Sequence, residues 1–333
     1  MPDITFGPVP SRRLGQSLGI NNIPPKTCSY SCTYCQLGVT RSFRVKRGAF
    51  YDAAGIVERV RRRVEMATAG GERIDYLTVV PDGEPTLDQY LGWELWQLSG
   101  LGLRTAVITN GSLLWRSDVR EDLLAADLVS VKVDAVRRDV WRAINVPHKT
   151  LRLDEVLHGI RTFAEEYGGR LITETMLVDG VNDQLDNLEP TAQFVASIAP
   201  DCAYLSVPTR PPAKAGVRPA SPQSLTTAYG LFKAQMDAVE YLVGYEGNAF
   251  ASSGEPQADL LSITAVHPMK EEAVEKLLSR SNAEWTVVEE LLAKGVLAAT
   301  EYRGEKFYAR VFRASDGNGS RSALSTPSCP WLE

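Results

Sequence analysis

Between residues 15 and 245 the chain alternates short apolar runs with longer stretches in which apolar residues recur every three or four positions. Residues 51–69 show the second pattern: Ile56, Val60, Val64 and Ala67 share one face, with Arg59, Arg61, Arg62 and Arg63 between them, as in an amphipathic helix. Leu18-Gly19-Ile20 and the run 76–80 show the first pattern and predict strands. Further strands are expected at 105–109, 128–133, 171–178 and 203–207, separated by helices at 88–98, 117–126, 153–167 and 187–198. Strict strand–helix alternation predicts an α/β chain with a parallel sheet covered by helices. Six such units fall short of the about 250 residues that a closed eight-unit barrel takes. The expected architecture is therefore a partial (β/α)6 TIM-like barrel.

The pattern changes near residue 255. Helices are expected at 259–263, 269–278 and 282–294, then two strands at 297–302 and 306–312 around the turn Arg303-Gly304. That order predicts a small winged-helix-like α+β domain. Its helix 282–294 carries Glu284, Glu289 and Glu290 against Lys294, the wrong sign for lying along phosphates. Packing against the barrel or another protein is the expected use, with no DNA partner. Residues 314–333 are rich in Ser, Gly and Pro, lack periodicity and predict a flexible tail. The expected division is thus 1–250, 255–313 and 314–333.

Composition narrows the setting. The chain has 333 residues and a formal net charge of -5, which argues against indiscriminate binding of polyanions while leaving room for a local basic face. No apolar stretch approaches the length that spans a bilayer, and Met1 to Gly19 lacks a signal-like apolar run, so a cytoplasmic enzyme with no membrane attachment is expected.

Three of the five cysteines fall inside eight residues, as Cys28-Ser-Tyr-Ser-Cys32-Thr-Tyr-Cys35. Three thiolates on a four-iron cubane leave one iron with open positions, which an amine and a carboxylate can chelate. Structural zinc is the competing reading, but it needs further cysteines or histidines to close a tetrahedron. Only Cys202, Cys329 and the scattered His148, His158 and His267 remain. Cys202 reads as a small buried hydrophobe.

In a parallel α/β sheet the reactive groups sit on loops leaving the carboxyl ends of strands. The cysteine loop follows the first strand, Asp82-Gly83-Glu84-Pro85-Thr86 the second, Asn110 the third and Asp134 the fourth. Glu174 and Met176 alternate onto one face of the fifth strand. If that face is the barrel interior, Glu174 needs a partner there and becomes a site residue. Arg210, in a proline-rich segment after the sixth strand, offers a guanidinium to a substrate carboxylate or phosphate, or is a surface residue on a stiff linker. Asp82-Gly83 can also be an ordinary turn, and Asn110 and Asp134 a turn asparagine and a capping aspartate.

The Cys-x3-Cys-x2-Cys spacing, with Tyr34 just before the last cysteine, resembles the radical S-adenosylmethionine (SAM) superfamily. The resemblance implies a [4Fe-4S] cluster on Cys28, Cys32 and Cys35 and S-adenosyl-L-methionine as cofactor, with Tyr34 beside its adenine. It implies reductive cleavage of that cofactor to a 5'-deoxyadenosyl radical, which abstracts hydrogen from a small metabolite or an RNA base. A reductant such as flavodoxin or ferredoxin is implied as partner. The segment Gly83-Glu84-Pro85-Thr86 is similar to the superfamily's Gly-Gly-Glu-Pro loop, which holds the methionine ammonium, and Asn110 and Asp134 become candidates for the ribose or the methionine carboxylate. Asp82 replaces the first glycine, a costly choice if that position requires positive φ. Gly7-Pro8-Val9-Pro10-Ser11-Arg12-Arg13-Leu14-Gly15 and Asn182-Asp183 resemble the Fe-S oxidoreductase branch related to wyosine-forming tRNA enzymes. Those enzymes carry a second cluster on upstream cysteines, whereas no cysteine precedes Cys28 here. Two other readings are a glycyl-radical-type activase acting on a partner protein, and an iron-sulfur redox sensor with a DNA-binding winged helix.

Overall fold

A computed structural model describes residues 4–243, 250 and 254–311; the expected tail 314–333, with Cys329, lies outside the described residues. In chain order the strands are β1 (Thr5–Ser11), β2 (Gly15–Ile20), β3 (Thr27–Cys28), β4 (Ser42–Phe43), β5 (Tyr76–Val79), β6 (Arg104–Thr109), β7 (Leu128–Lys132), β8 (Arg170–Met176), β9 (Cys202–Ser206), β10 (Val239–Leu242), β11 (Met269–Lys270), β12 (Leu297–Tyr302) and β13 (Glu305–Arg310). The helices are α1 (Ala53–Ala69), α2 (Leu91–Ser99), α3 (Ser117–Leu123), α4 (Arg138–Asn145), α5 (Leu153–Glu166), α6 (Leu185–Ser197), α7 (Pro222–Lys233), α8 (Pro256–Val266), α9 (Glu271–Arg280) and α10 (Thr286–Ala293).

Eight strands form one sheet in the order β1-β2-β5-β6-β7-β8-β9-β10, parallel throughout except for the antiparallel pair β1–β2. The six expected strands sit in it as β2 and β5 to β9. The six-unit description gains two edge strands that the hydrophobic pattern did not reveal. β1 carries Pro8 and Pro10, residues that a strand accepts only at an edge, and β10 is four residues long with two of them exposed. The two edges approach each other, since Arg12 after β1 donates to the carbonyl of Val243 after β10 at 2.9 Å. The sheet is thus curled into an open barrel.

Alternation along the strands separates two apolar layers. Leu18, Leu77, Val107, Val129, Leu171 and Leu205 face the helices in the main core. Tyr76, Ala106, Leu128, Ile172, Tyr204 and Leu242 form a second cluster inside the curl, with Cys202 buried among them. Ser17, Thr78, Lys132, Glu174 and Ser206 share that inner face nearer the carboxyl ends of the strands and line a cavity there.

After β10 come α8, β11, α9, α10, β12 and β13 in that order, with a three-stranded sheet β11-β13-β12. Met269–Lys270 pairs with β13 rather than opening α9, because the edge of the β12–β13 hairpin supplies a partner that local periodicity does not reveal. This unit shares a core with the barrel edge: Phe6 and Val9 of β1 pack with Leu260, Ile263, Leu277 and Tyr308. Among the described residues no helix is long and apolar enough to cross a membrane.

One buried acid gives a stability prediction. Glu94 on α2 is 1% exposed, and burial, reinforced by Asp88, pushes its carboxyl up to about 9. An unfolded glutamate titrates near about 4.3, so between there and about 9 the folded chain holds the extra proton and stability falls as pH rises. Glu94→Gln is expected to flatten that slope and to be more stable than the native chain at pH 8. Urea unfolding of both proteins at pH 5 and pH 8 checks it; an unchanged slope contradicts it.

Candidate active site

The cysteine loop leaves the carboxyl end of β2 and is pinned by the C-terminus of α4. A helix end leaves carbonyls without intrahelical donors, and this loop supplies them: Ser31 N donates to Asn145 O at 3.1 Å and Thr33 N to Ile144 O at 2.9 Å. Trp141 on the same helix donates its indole N–H to Tyr30 Oη at 3.1 Å. The helix at 138–145 is not among those the hydrophobic pattern predicts, although Val140, Trp141 and Ile144 lie on one face and Asp139 occupies its first turn.

Side-chain and backbone donors point at the sulfurs. Tyr30 N lies 3.5 Å and Asn110 Nδ2 3.6 Å from Cys28 Sγ, and Asn145 Nδ2 lies 3.5 Å from Cys32 Sγ. Burial pushes the Cys32 thiol up to about 12, with Asp134 adding to the shift and the Asn145 donor opposing it. Cys28 and Cys35 are raised as well, by burial first. Among the described residues no three His, Cys, Asp or Glu side chains converge on one point as ligands of a single ion. A cubane takes each cysteine on a different iron and so needs three separated sulfurs.

The loop after β5 is locked to the cysteine loop. Glu84 N donates to Thr27 O at 3.1 Å, and a Cβ on Gly83 would meet that carbonyl oxygen at 2.0 Å, so only glycine lets the two backbones come this close. Asp82 avoids the strain that a positive φ would impose. The left-handed residue is Lys26, at φ 60°, and Lys26 Nζ pairs with the Asp82 carboxylate at 3.2 Å. Glu84 is 1% exposed and fully engaged. Its Oε1 accepts from Thr86 N at 3.1 Å, Thr86 Oγ1 at 2.7 Å and Thr109 Oγ1 at 2.6 Å, and its Oε2 from Asn110 N at 2.8 Å. Burial raises its carboxyl and these donors oppose the rise. Pro85 opens the 3-10 turn Pro85–Leu87 that Glu84 caps.

Asn110 and Asp134 sit where their strands end, each held by protein groups. Asn110 Nδ2 also donates to Ser29 Oγ at 2.9 Å. Asp134 accepts from Tyr34 Oη, from Asn145 Nδ2 at 2.6 Å and from Met176 N at 2.8 Å, tying the aromatic of the cysteine loop to β7 and β8. The Lys132 ammonium lies 5.2 Å from the centroid of the Tyr34 ring.

Tyr34 and Cys35 also face the cavity, which has a volume of about 280 Å³. Inside it Glu174 accepts from Lys132 Nζ at 2.9 Å, from Ser206 Oγ at 3.0 Å and from Arg13 Nη1. Burial opposes ionisation of Glu174, but Lys132 and Arg13 overcome it and hold the carboxyl down at about 2. Arg210 is 8% exposed rather than on the surface; it donates to Gln36 Oε1 at 3.1 Å and to His267 Nε2 at 2.7 Å. Burial and the neighbouring guanidinium hold His267 well below its usual range, hence neutral. Val266 and His267 of the C-terminal unit wall the cavity, and Gln36 Nε2 donates to Val266 O at 3.1 Å.

Sequence reasoning did not single out Arg13, Lys132, Ser206, Gln36, His267 or Asn145. Lys132 pairs with Glu174 across β7 and β8, a relation that appears only once strand register is known. Arg13 follows a strand whose prolines hide it, and His267 belongs to the other unit.

The radical SAM superfamily model matches residues 22–195. The chain is 43% identical to a UPF0026 protein of Methanocaldococcus jannaschii over 95% of this chain and 99% of that one. It is 37% identical to a UPF0026 protein of Synechocystis sp., over 62% of this chain and 76% of that one. Among solved structures, a radical SAM methyltransferase from Sphaerobacter thermophilus superposes with a TM-score of 0.51 at 18% identity, covering 68% of this chain and 66% of that one, which is a likeness of fold.

Proposed function

The chain belongs to the radical SAM superfamily, whose cofactors are a [4Fe-4S] cluster and S-adenosylmethionine, and from that premise we propose that Cys28, Cys32 and Cys35 hold the cluster and that hydrogen is abstracted from a small metabolite in the barrel cavity. The donor set fits. Three separate thiols lie in a partly buried loop that carries N–H donors for the sulfurs of Cys28 and Cys32, and desolvation raises all three, opposed at Cys35 by Lys26 and Lys132, so a metal centre's positive charge would favour the thiolates. Bound and reduced, the cluster supplies the electron that cleaves S-adenosylmethionine into methionine and a 5'-deoxyadenosyl radical.

The protein's part is binding, orientation and electrostatics. In this reading Gly83 and the 84–86 turn hold the methionine end, Glu84 fixes that loop against Asn110, and Tyr34, braced by Asp134, flanks the adenine. Lys132, Glu174 and Arg13 line the same cavity, as do Arg210 and His267. The observation that carries the proposal is that Tyr34 and Cys35 share one cavity with Lys132, Glu174 and Arg210. A volume of about 280 Å³ suits a small molecule. The experiment is anaerobic incubation of the cluster-loaded, reduced protein with S-adenosylmethionine. Formation of 5'-deoxyadenosine supports the proposal, and an intact cofactor after reduction of the cluster contradicts it.

For the rest of the chain we propose a division into 1–250 and 255–313, a cytoplasmic setting and a small electron carrier such as flavodoxin or ferredoxin. We also propose that the C-terminal unit walls the cavity and does not read DNA. Four lysines of its hairpin and helices are matched inside the unit: Lys306 pairs with Glu271 at 2.8 Å, Lys270 with Glu305 at 3.1 Å, Lys276 with Glu272 at 2.6 Å and Lys294 with Glu290 at 3.1 Å. Each lysine so matched has less to gain from counterion release on phosphates. Binding of the full chain to duplex DNA and to tRNA across a salt series tests this. Weak, salt-insensitive DNA binding is expected; tight, salt-sensitive DNA binding contradicts it, and tight binding of tRNA alone replaces the small metabolite with an RNA base.

A further inference from the structure

We infer that the face of the chain lying against the cysteine loop is the docking surface for an acidic one-electron carrier protein. The inference rests on reading Cys28, Cys32 and Cys35 as cluster ligands, and it says where the electron enters. The first observation is a segregation of charge. The chain carries 41 Asp and Glu against 36 Lys and Arg, yet residues 4–51, 140–153 and 202–236 contain no acidic residue. These three segments meet at the cysteine loop. In the first, β3 pairs with β4, so Phe43 lies opposite Cys28, and Thr40 Oγ1 donates to Tyr30 O at 2.6 Å. In the second, His148 N donates to Ser29 O at 2.9 Å, and the His148 ring lies 5.6 Å from that of Phe43. In the third, Lys214 N donates to Thr33 O at 3.0 Å.

The second observation is what these segments expose. Lys46, Arg142, Lys149 and Lys214 are exposed, and among the described residues none of these four forms an ion pair. The same segments expose Val39 at 51%, Val146 at 40% and Phe43 at 36%. Val146 holds its place under strain: it ends α4 in the left-handed region at φ 42°, where a β-branched residue is an outlier. That turn leaves Asn145 buried, 3.5 Å from Cys32 Sγ, and Val146 at the surface. Apolar groups accompanied by unpaired cations suit a transient contact that charge steers and apolar burial holds. The partner is acidic because the chain itself has a net charge of -5: a negative protein is repelled on average and attracted here, which selects one orientation. It is an electron carrier rather than an RNA because none of these side chains lines the barrel cavity, where a substrate base would enter. With a flavodoxin the step balances without a proton: the anionic flavin hydroquinone gives one electron to the oxidised cluster and is left as the neutral semiquinone.

Calorimetric titration of oxidised flavodoxin and of oxidised ferredoxin into the full chain, cluster-loaded and cluster-free, tests the surface without turnover. Saturable binding of at least one carrier, weakening steeply with salt, is expected in both forms. The triple variant Arg142→Glu, Lys149→Glu, Lys214→Glu is expected to weaken it at least tenfold. Arg61→Glu, Arg62→Glu, Lys276→Glu makes the same change in net charge at exposed sites elsewhere and is expected to alter binding by no more than about threefold. Stopped-flow reduction of the cluster by flavodoxin hydroquinone should slow in step with the loss of binding, while reduction by dithionite, which needs no docking surface, is unchanged. Should the first triple variant fail to fold, Lys149→Glu alone carries the test. No saturable binding of either carrier, equal weakening by both triple variants, or dithionite reduction slowed as much as carrier reduction overturns the inference. Loss of tRNA binding with carrier binding retained also overturns it and gives the face to RNA. Cofactor cleavage by the dithionite-reduced protein separates the two readings: its absence would defeat only the proposed reaction, and cleavage without carrier binding would defeat only this inference.

Discussion

Replacing Cys28, Cys32 and Cys35 together by alanine is expected to lower bound iron from about four atoms per chain to background and to abolish formation of 5'-deoxyadenosine. Cys202, buried inside the barrel, keeps its thiol in that variant and offers no substitute site. The fold should survive, since the loop backbone is held by the carbonyls of Ile144 and Asn145, and the Tyr30 side chain by Trp141, rather than by the sulfurs. Iron and sulfide analysis after anaerobic reconstitution, with circular dichroism as the folding control, checks both halves. Iron retained at the native level in a folded triple variant would falsify the assignment.

Glu84→Gln is expected to weaken cofactor binding by at least tenfold and to destabilise the chain by roughly 2–3 kcal/mol. The carboxylate accepts from four donors, three on Oε1 and one on Oε2. An amide has one acceptor oxygen, so in either orientation its NH2 faces a donor: Asn110 N in one, the Thr86 and Thr109 groups in the other. Because both oxygens are occupied by protein groups, Glu84 acts as a positioning residue for the cofactor loop. Titration with S-adenosylmethionine and urea unfolding should therefore move together. Unchanged affinity in a destabilised protein would mean that this loop does not hold the methionine end.

Much of the fold is legible because period-two and period-3.6 patterns are local properties of the chain. The six strands from Leu18 onward, and the amphipathic helix with Ile56, Val60 and Ala67 buried, follow from them. β1 and β10 do not, since what makes them strands is pairing at the two edges of a sheet. The cysteine spacing and the residues after each strand are legible for the same local reason. The cavity is not. Lys132 meets Glu174 through strand register, Arg13 reaches it from the turn after an edge strand, and His267 reaches Arg210 from the second unit. Asp82 shows the opposite case: its place in a glycine-type position suggested backbone strain, but the ion pair with Lys26 and the ordinary φ become visible only in three dimensions.

The most direct test of the account is electron paramagnetic resonance of the reduced, reconstituted protein with and without S-adenosylmethionine. If three cysteines hold the cluster and one iron is open, the cofactor's amine and carboxylate ligate that iron and the signal of the reduced cluster changes on its addition. A four-iron signal that S-adenosylmethionine leaves unaltered would contradict the account, because it would mean that no iron is open to the cofactor.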